Sequence, residues 1–193
     1  FLAGLVADWS EIHRRIGEGS RASDLAACRD LLVGAVNQHG WDGEWYLRAT
    51  LDDGSLLGTR PNRFGRIYLN PQIWAVLHDV ASPERAAKCM AAVREHLVTD
   101  VGALLLAPAY PEPAREIGYI TRYAPGLREN GGVYTHAATW AIAAACKIRD
   151  TELVALLLKD FSKRINRGEM AAAVLAGSIH LGVGLINSAA MSF

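Results

Sequence analysis

"GYITRYAPGLRENGGVYTHAATWA", residues 118–141, gathers Arg122, Arg128, Glu129, Asn130, His136 and Trp140, interleaved with tyrosines and threonines, around Pro125, Gly126, Gly131 and Gly132. Hydrogen-bonding side chains are thus concentrated where glycine lets the backbone bend, the composition of a binding loop carried on a rigid frame. From Thr135 to Ile148 the pattern becomes alanine-rich and predicts a helix. The stretch reads as a polar loop feeding a helix start.

Helix followed by loop is also the rhythm on either side. "FLAGLVADWSEIHRRI" at the start has amphipathic helical periodicity and no basic leader, so it is not a signal peptide. Asp24 to Gln38 places Leu25, Cys28, Leu31 or Leu32, and Ala35 or Val36 on one stripe, which Gly40 stops. "WYLRATL" followed by "DDGSLLG" predicts a short hairpin arm, and "NPQIWAVLHDV" a helix after Pro71. In "SPERAAKCMAAVREHLV", Ser82 is a cap, Pro83 suits the first helical position, and Ala86, Met90, Val93 and Leu97 form the buried face. "VGALLLAPAY" is a short buried strand or an extended lining segment, and a last helix runs from Thr151 to about Arg164. The expected fold is all-α, a toroid of helical hairpins with a small β arm or extended loops, in which inner helices pack small residues closely and loops at one end line a cleft.

Composition narrows the function classes. With 193 residues, 51% hydrophobic and 21% charged, the chain can bury a sizeable core. Because 20 basic residues balance 20 acidic ones without long runs, there is no electrostatic footprint for nucleic acid or an anionic membrane. Cys28, Cys89 and Cys146 are widely spaced and each lies beside alanine, which predicts buried free thiols, no metal site and a reducing cytoplasm. The chargeless tail "MAAAVLAGSIHLGVGLINSAAMSF" is long enough to span a bilayer, but its small residues, His180 and Asn187 make it only mildly apolar. A buried helix or a non-native tail is the expectation there.

Three stretches, "WDGEWYLRATLDDGSLLG", "RIYLNPQIWAVL" and above all "GYITRYAPGLRENGGVYTHAATWA", resemble consecutive motifs of the inverting disaccharide phosphorylases, the family of cellobiose, chitobiose and cellobionic acid phosphorylases. The resemblance runs from the first helix to about Arg167, and residues 168–193 form a divergent tail without it. It implies part of an (α/α)6 barrel catalytic domain that cleaves a β-glucosidic bond with inorganic phosphate as co-substrate, without metal or organic cofactor, in a cytoplasmic parent that is a homodimer. In inverting chemistry a carboxylic acid protonates the leaving oxygen while a nucleophile attacks the opposite face of the anomeric carbon. Phosphate, already anionic, needs no base, only donors that neutralise and aim it.

The resemblance carries roles to particular residues. His136 matches the histidine that contacts phosphate; taken without the motif it reads as a histidine satisfied at a helix start. Glu129 matches a carboxylate lining the sugar site, beside Asn130, a further substrate contact. Tyr123 and Arg128 match positions shaping the acceptor subsite, where a flat ring and a cation serve sugar oxygens. Asp42, Arg48 and Gln72 are weaker candidates. Asp42 and Glu44 sit between Trp41 and Trp45 like an acid–base pair, but the expectation is that Asp42 caps or bridges its turn with Arg48 as partner while the tryptophans pack the barrel. The family's general acid lies in an upstream Gly-Asp-Trp-Asn-Asp-Gly stretch, absent from these residues, as is a Gly-Gly-Trp-Thr-Trp-Tyr-Thr-Gly-like motif that supplies a second phosphate contact. The expectation is therefore a catalytic-domain portion of a phosphorylase acting on a cellobiose or cellobionic acid type of substrate. The alternatives are the phosphorylase-like module of a cyclic β-1,2-glucan synthase, or a non-catalytic fragment that binds sugar weakly.

Overall fold

The structure, a computed structural model, describes residues 1–168. From residue 169 on, the expected apolar tail lies outside the described residues. Among the described residues the helices form three hairpins: α1 (Leu2–Arg15) with α2 (Gly19–His39), α3 (Leu69–Leu77) with α4 (Pro83–His96), and α5 (Thr135–Lys147) with α6 (Thr151–Asn166). Each start and stop has a local cause. Ser82 Oγ accepts from the Arg85 amide at 3.3 Å with Pro83 in the first turn, and Asp150 Oδ1 accepts from Leu153 N at 2.9 Å, capping α6. Gly40 ends α2. Helix α3 begins two residues before Pro71, which sits in the first turn, where its missing N–H leaves no helical bond unmade.

The β structure is three antiparallel pairs of short strands. The expected arm is β1 (Ala49–Thr50) with β2 (Leu56–Leu57). The "VGALLLAPAY" segment contributes two more strands: β5 (Gly102–Ala103) pairs β4 (Val98–Thr99), and β6 (Leu106–Ala107) pairs β3 (Ile67–Tyr68), the strand that leads into α3.

Helices α3 and α5 pack on each other at the centre. Helix α5 turns Ala137, Ala141, Ala144 and Ala145 inward, and these small side chains let it approach Leu69, Ile73 and Val76 of α3 closely. Truncating a side chain such as Ile73 here costs about 2–5 kcal/mol. Ala86, Met90 and Val93 of α4, with Leu97, close one flank as their spacing predicts. Arg94 ties α4 to the α6 start, 2.6 Å from Asp150 and 3.1 Å from Glu152. A second cluster, Leu57, Tyr68, Leu106 and Tyr110, underlies the polar loop.

Apolar helix faces lie exposed, as expected of part of a ring, and one expectation about burial, that of the cysteines, is corrected. Helix α1 is amphipathic: Gly4 lies against His78, Ser10 Oγ donates to Ala22 O of α2 at 2.7 Å, and Leu5, Trp9 and Ile12, with Ile16 just after the helix, are exposed. The α2 stripe is likewise outward at Leu31 and Val36. Of the cysteines only Cys89 is buried; Cys28 and Cys146 are exposed, and all three are free thiols. Alanine neighbours mark a helix but not which way its faces point.

Candidate functional site

The loop that feeds α5 is held from beneath by its own polar residues. A 3-10 turn, Tyr119–Arg122, buries Thr121, whose hydroxyl donates to Gly118 O at 2.9 Å and accepts from Ala114 N at 2.8 Å. Asn130 is wholly buried: its Oδ1 accepts from Tyr110 N at 2.8 Å, and its Nδ2 donates to Tyr110 O at 2.9 Å and Tyr123 O at 2.8 Å. Gly132 N then donates to Arg128 O, so close that a Cβ at Gly132 would lie 2.4 Å from that oxygen. Glycine is required there by contact, and at Gly131 by a φ of 82°. Leu105 N donates to Gly132 O at 2.9 Å, fixing the loop to the segment before β6.

With its base anchored, the loop projects Glu129. Glu129 Oε1 accepts from the Tyr134 hydroxyl at 2.9 Å, and Oε2 lies 3.7 Å from Arg128 Nε. The Glu129 backbone amide first, then the Tyr134 hydroxyl, hold this carboxyl below its ordinary pKa, so it is ionised at neutral pH. Arg128 is exposed and stacks its guanidinium 4.7 Å from the ring centre of Tyr123. Tyr134 is also the residue from which α5 starts, and no side chain caps that helix. His136, exposed in the first turn, has its ring 5.3 Å from Tyr134 and 5.0 Å from Trp140. Open backbone amides at a helix start, with an imidazole beside them, form an anion-binding arrangement.

Loop and helix start therefore bring together Tyr123, Arg128, Glu129 and His136. The expected substrate contact by Asn130 is corrected: every polar atom of its amide is taken by backbone. Gln72 is corrected in the same way. It is wholly buried, with Oε1 accepting from Tyr46 N at 2.9 Å and Nε2 donating to Tyr46 O at 2.7 Å and Tyr68 O at 3.0 Å. It clasps the "WDGEW" turn to α3.

Asp42 does organise its turn, as expected, but with Arg60 in place of Arg48. Its carboxylate accepts from the amides of Glu44, Trp45 and Arg60 and from the Thr59 hydroxyl, at 2.9–3.0 Å, with Arg60 Nε 3.7 Å away. Burial alone would raise its pKa; those donors together outweigh it and hold Asp42 below the ordinary carboxylate range. It has no proton to give at neutral pH. Trp45 is buried, its Nε1 donating to Gly58 O, while Trp41 is half-buried under Arg85. Arg48 stands instead over the Tyr68 ring, 5.9 Å from its centre, in a small cavity with Glu129.

Sequence reading passed over Tyr134 and Asn70. A signal was present: Tyr68, Asn70, Trp74 and Ala75 recur in the same spacing as Tyr134, His136, Trp140 and Ala141, once at the start of α3 and once at the start of α5. The two tryptophans meet, ring centres 4.8 Å apart. A groove of about 940 Å³ lies at the opposite ends of these helices, where Asp79 and Lys147 already pair at 2.8 Å and Arg85 bonds Asn37. It carries none of the site residues. Among the described residues no group of three or more His, Cys, Asp or Glu side chains is placed to hold a metal ion, and no helix is long and apolar enough to cross a membrane.

Comparison with known proteins bears on the whole arrangement. A model of the Glycosyl hydrolase 94 superfamily catalytic domain matches residues 1–156, and one of a domain of unknown function (DUF350) matches residues 127–191. The chain is 46% identical over 112 residues to a solabiose phosphorylase of Paenibacillus borealis, covering 58% of this chain and 15% of that protein. It is 36% identical over 134 residues to a cellobionic acid phosphorylase of Neurospora crassa, covering 69% of this chain and 17% of the relative. To the cyclic beta-(1,2)-glucan synthase NdvB of Rhizobium meliloti it is 36% identical over 146 residues, 75% of this chain and 5% of that one. The chain thus spans a small part of the curated relatives it matches. With the family match running through α1 to α5 and into α6, the chain belongs to the Glycosyl hydrolase 94 superfamily, and its three helical hairpins form part of an (α/α)6 catalytic barrel.

Proposed function

We propose that the chain supplies the phosphate- and sugar-gripping part of an inverting glycoside phosphorylase. Such an enzyme cleaves a β-glucosidic disaccharide of the cellobiose or cellobionic acid type with inorganic phosphate, giving α-glucose 1-phosphate and the acceptor sugar. The observation that carries the reading is the role of Tyr134, which hydrogen-bonds Glu129 on one side and packs against His136 on the other. It joins a carboxylate suited to sugar hydroxyls to a helix start suited to phosphate. Because the chain spans only 15% and 17% of two phosphorylases that it matches, it acts on this reading within a longer protein, with residues 1–167 belonging to the barrel.

On this reading phosphate sits at the α5 start, neutralised by the open amides and by His136. One phosphate oxygen bonds the anomeric carbon as the glycosidic C–O bond breaks, and a carboxylic acid delivers its proton to the departing oxygen. Glu129 is ionised, so it accepts from sugar hydroxyls and steadies positive charge at the anomeric carbon. Asp42 is ionised and fully engaged, so the proton comes from elsewhere in the longer protein. Arg128 and Tyr123 face the acceptor, where an exposed guanidinium suits an aldonate carboxylate. No metal or organic cofactor takes part, phosphate being the co-substrate.

Incubating the full-length protein with phosphate and cellobiose or cellobionate should give α-glucose 1-phosphate. Free glucose formed independently of phosphate would overturn the reading. The NdvB match, which covers 75% of this chain, favours a second reading as a module of a cyclic glucan synthase. Turnover of β-1,2-glucan in preference to either disaccharide would select it.

A further inference from the structure

We infer that Asn70 is a sugar-binding residue, its amide oxygen taking a hydroxyl hydrogen of the glucosyl unit bound against Glu129. The inference rests on the reading of Glu129 as the sugar carboxylate and adds a contact that neither the motifs nor the relatives assign.

Asn70 is the second residue of α3, as His136 is of α5. Both helices start from a tyrosine in extended conformation, neither has a side-chain cap, and the two pack against each other, so the two side chains leave equivalent positions at the same end of the helix pair. Asn70 Oδ1 is buried and has no hydrogen-bond partner, and the same holds for Glu129 Oε2. Both residues line one cavity of about 100 Å³, with Arg48, Tyr68, Leu105 and Ile120.

A buried acceptor without a donor is destabilising, and buried polar atoms in folded chains are almost always paired. Two such acceptors on residues that line one cavity call for a ligand that brings hydrogens. Inorganic phosphate carries an O–H or two near neutral pH but would meet the ionised Glu129 carboxylate as a like charge. A pair of neighbouring hydroxyls fits: one hydrogen goes to Asn70 Oδ1, the other to Glu129 Oε2. Their oxygens accept from Arg48, whose guanidinium makes no ion pair among the described residues. The cavity, about 100 Å³, is large enough to admit water-sized polar groups such as sugar hydroxyls. Asn70 then reads the glucosyl hydroxyl pattern, while His136, in the equivalent position on α5, serves the anion.

The test is a cycle on the full-length protein with cellobiose and its analogues deoxygenated singly at the 2, 3, 4 or 6 position of the glucosyl unit. Asn70→Ala should lower kcat/KM for cellobiose about tenfold, the value of one neutral hydrogen bond. One deoxy analogue should show the same loss in the wild type and no further loss in the variant, with the KM for phosphate unchanged. Equal deoxy penalties in wild type and variant at every position would overturn the contact. Melting temperatures of both proteins control for folding, and Asn70→Ser, polar but too short to reach, replaces Asn70→Ala if the latter does not fold. Should the wild type show no phosphorolysis, the phosphorylase reading fails separately, and calorimetric binding of cellobiose decides: weaker binding by the variant sustains the Asn70 contact, while unchanged binding, or none by the wild type, overturns it.

Discussion

Tyr134 donates its hydroxyl to Glu129 Oε1 at 2.9 Å across a turn that contains the buried Asn130. This bond fixes one carboxylate oxygen and leaves the other for a ligand. Tyr134→Phe removes the donor and keeps the ring against His136. The Glu129 pKa, depressed in the native site, should rise toward the ordinary carboxylate value, so that the acid limb of the pH–activity profile moves to higher pH. Activity at neutral pH should fall about 3- to 10-fold, the effect of one lost hydrogen bond. An unmoved acid limb would show that Glu129 is not the group behind it.

His136→Ala should act on phosphate in particular. Loss of a contact that strengthens as charge develops costs about 2–4 kcal/mol in kcat/KM. The KM for phosphate should rise and kcat fall, with disaccharide binding little changed. Unchanged phosphate kinetics would return His136 to a packing role beside Trp140.

Asp42→Asn should cost stability and leave the chemistry. The buried carboxylate collects backbone and hydroxyl donors, and removing its charge leaves them poorly paired at about 1–3 kcal/mol. Because the folded pKa is depressed, the native carboxylate's contribution is complete above the unfolded value and is lost as pH falls through the folded one. Urea unfolding at neutral and acid pH should show the two proteins converging in acid. A loss of phosphorolysis far beyond the loss of folded protein would place the general acid at Asp42.

The 193-residue chain assayed alone should not turn over cellobiose or cellobionate, because on the proposed reading the proton donor lies elsewhere in the longer protein and general acid catalysis is worth about 10²–10⁴ in rate. Phosphate-dependent sugar phosphate from this chain would refute that division of labour.

The helices were readable because their signals are local: Ser82 and Pro83 announce α4, and Gly40 ends α2. Partners across the chain were not. Asn130 and Gln72 have the composition of ligand contacts, yet each pairs with a backbone segment 20 or 26 residues away, a relation that neighbouring residues do not encode. Asp42 faced the same difficulty, with Arg48 nearer in sequence and Arg60 nearer in space. Glu129, His136, Arg128 and Tyr123 were nominated from a motif and do converge on one loop and helix start. Asn70 required noticing that one helix start repeats another.

Leu5, Trp9 and Ile12 on α1 and Ile16 just after it are exposed and spaced four, three and four residues apart. That is the interval at which a second helix seats its own side chains. For the 193-residue chain in isolation the effect is colloidal: above modest concentration such rows find one another, and light scattering and dye binding should register clusters long before any unfolding. A charge placed at Trp9 or Ile12 should keep the isolated chain monodisperse without touching the loop that carries Glu129.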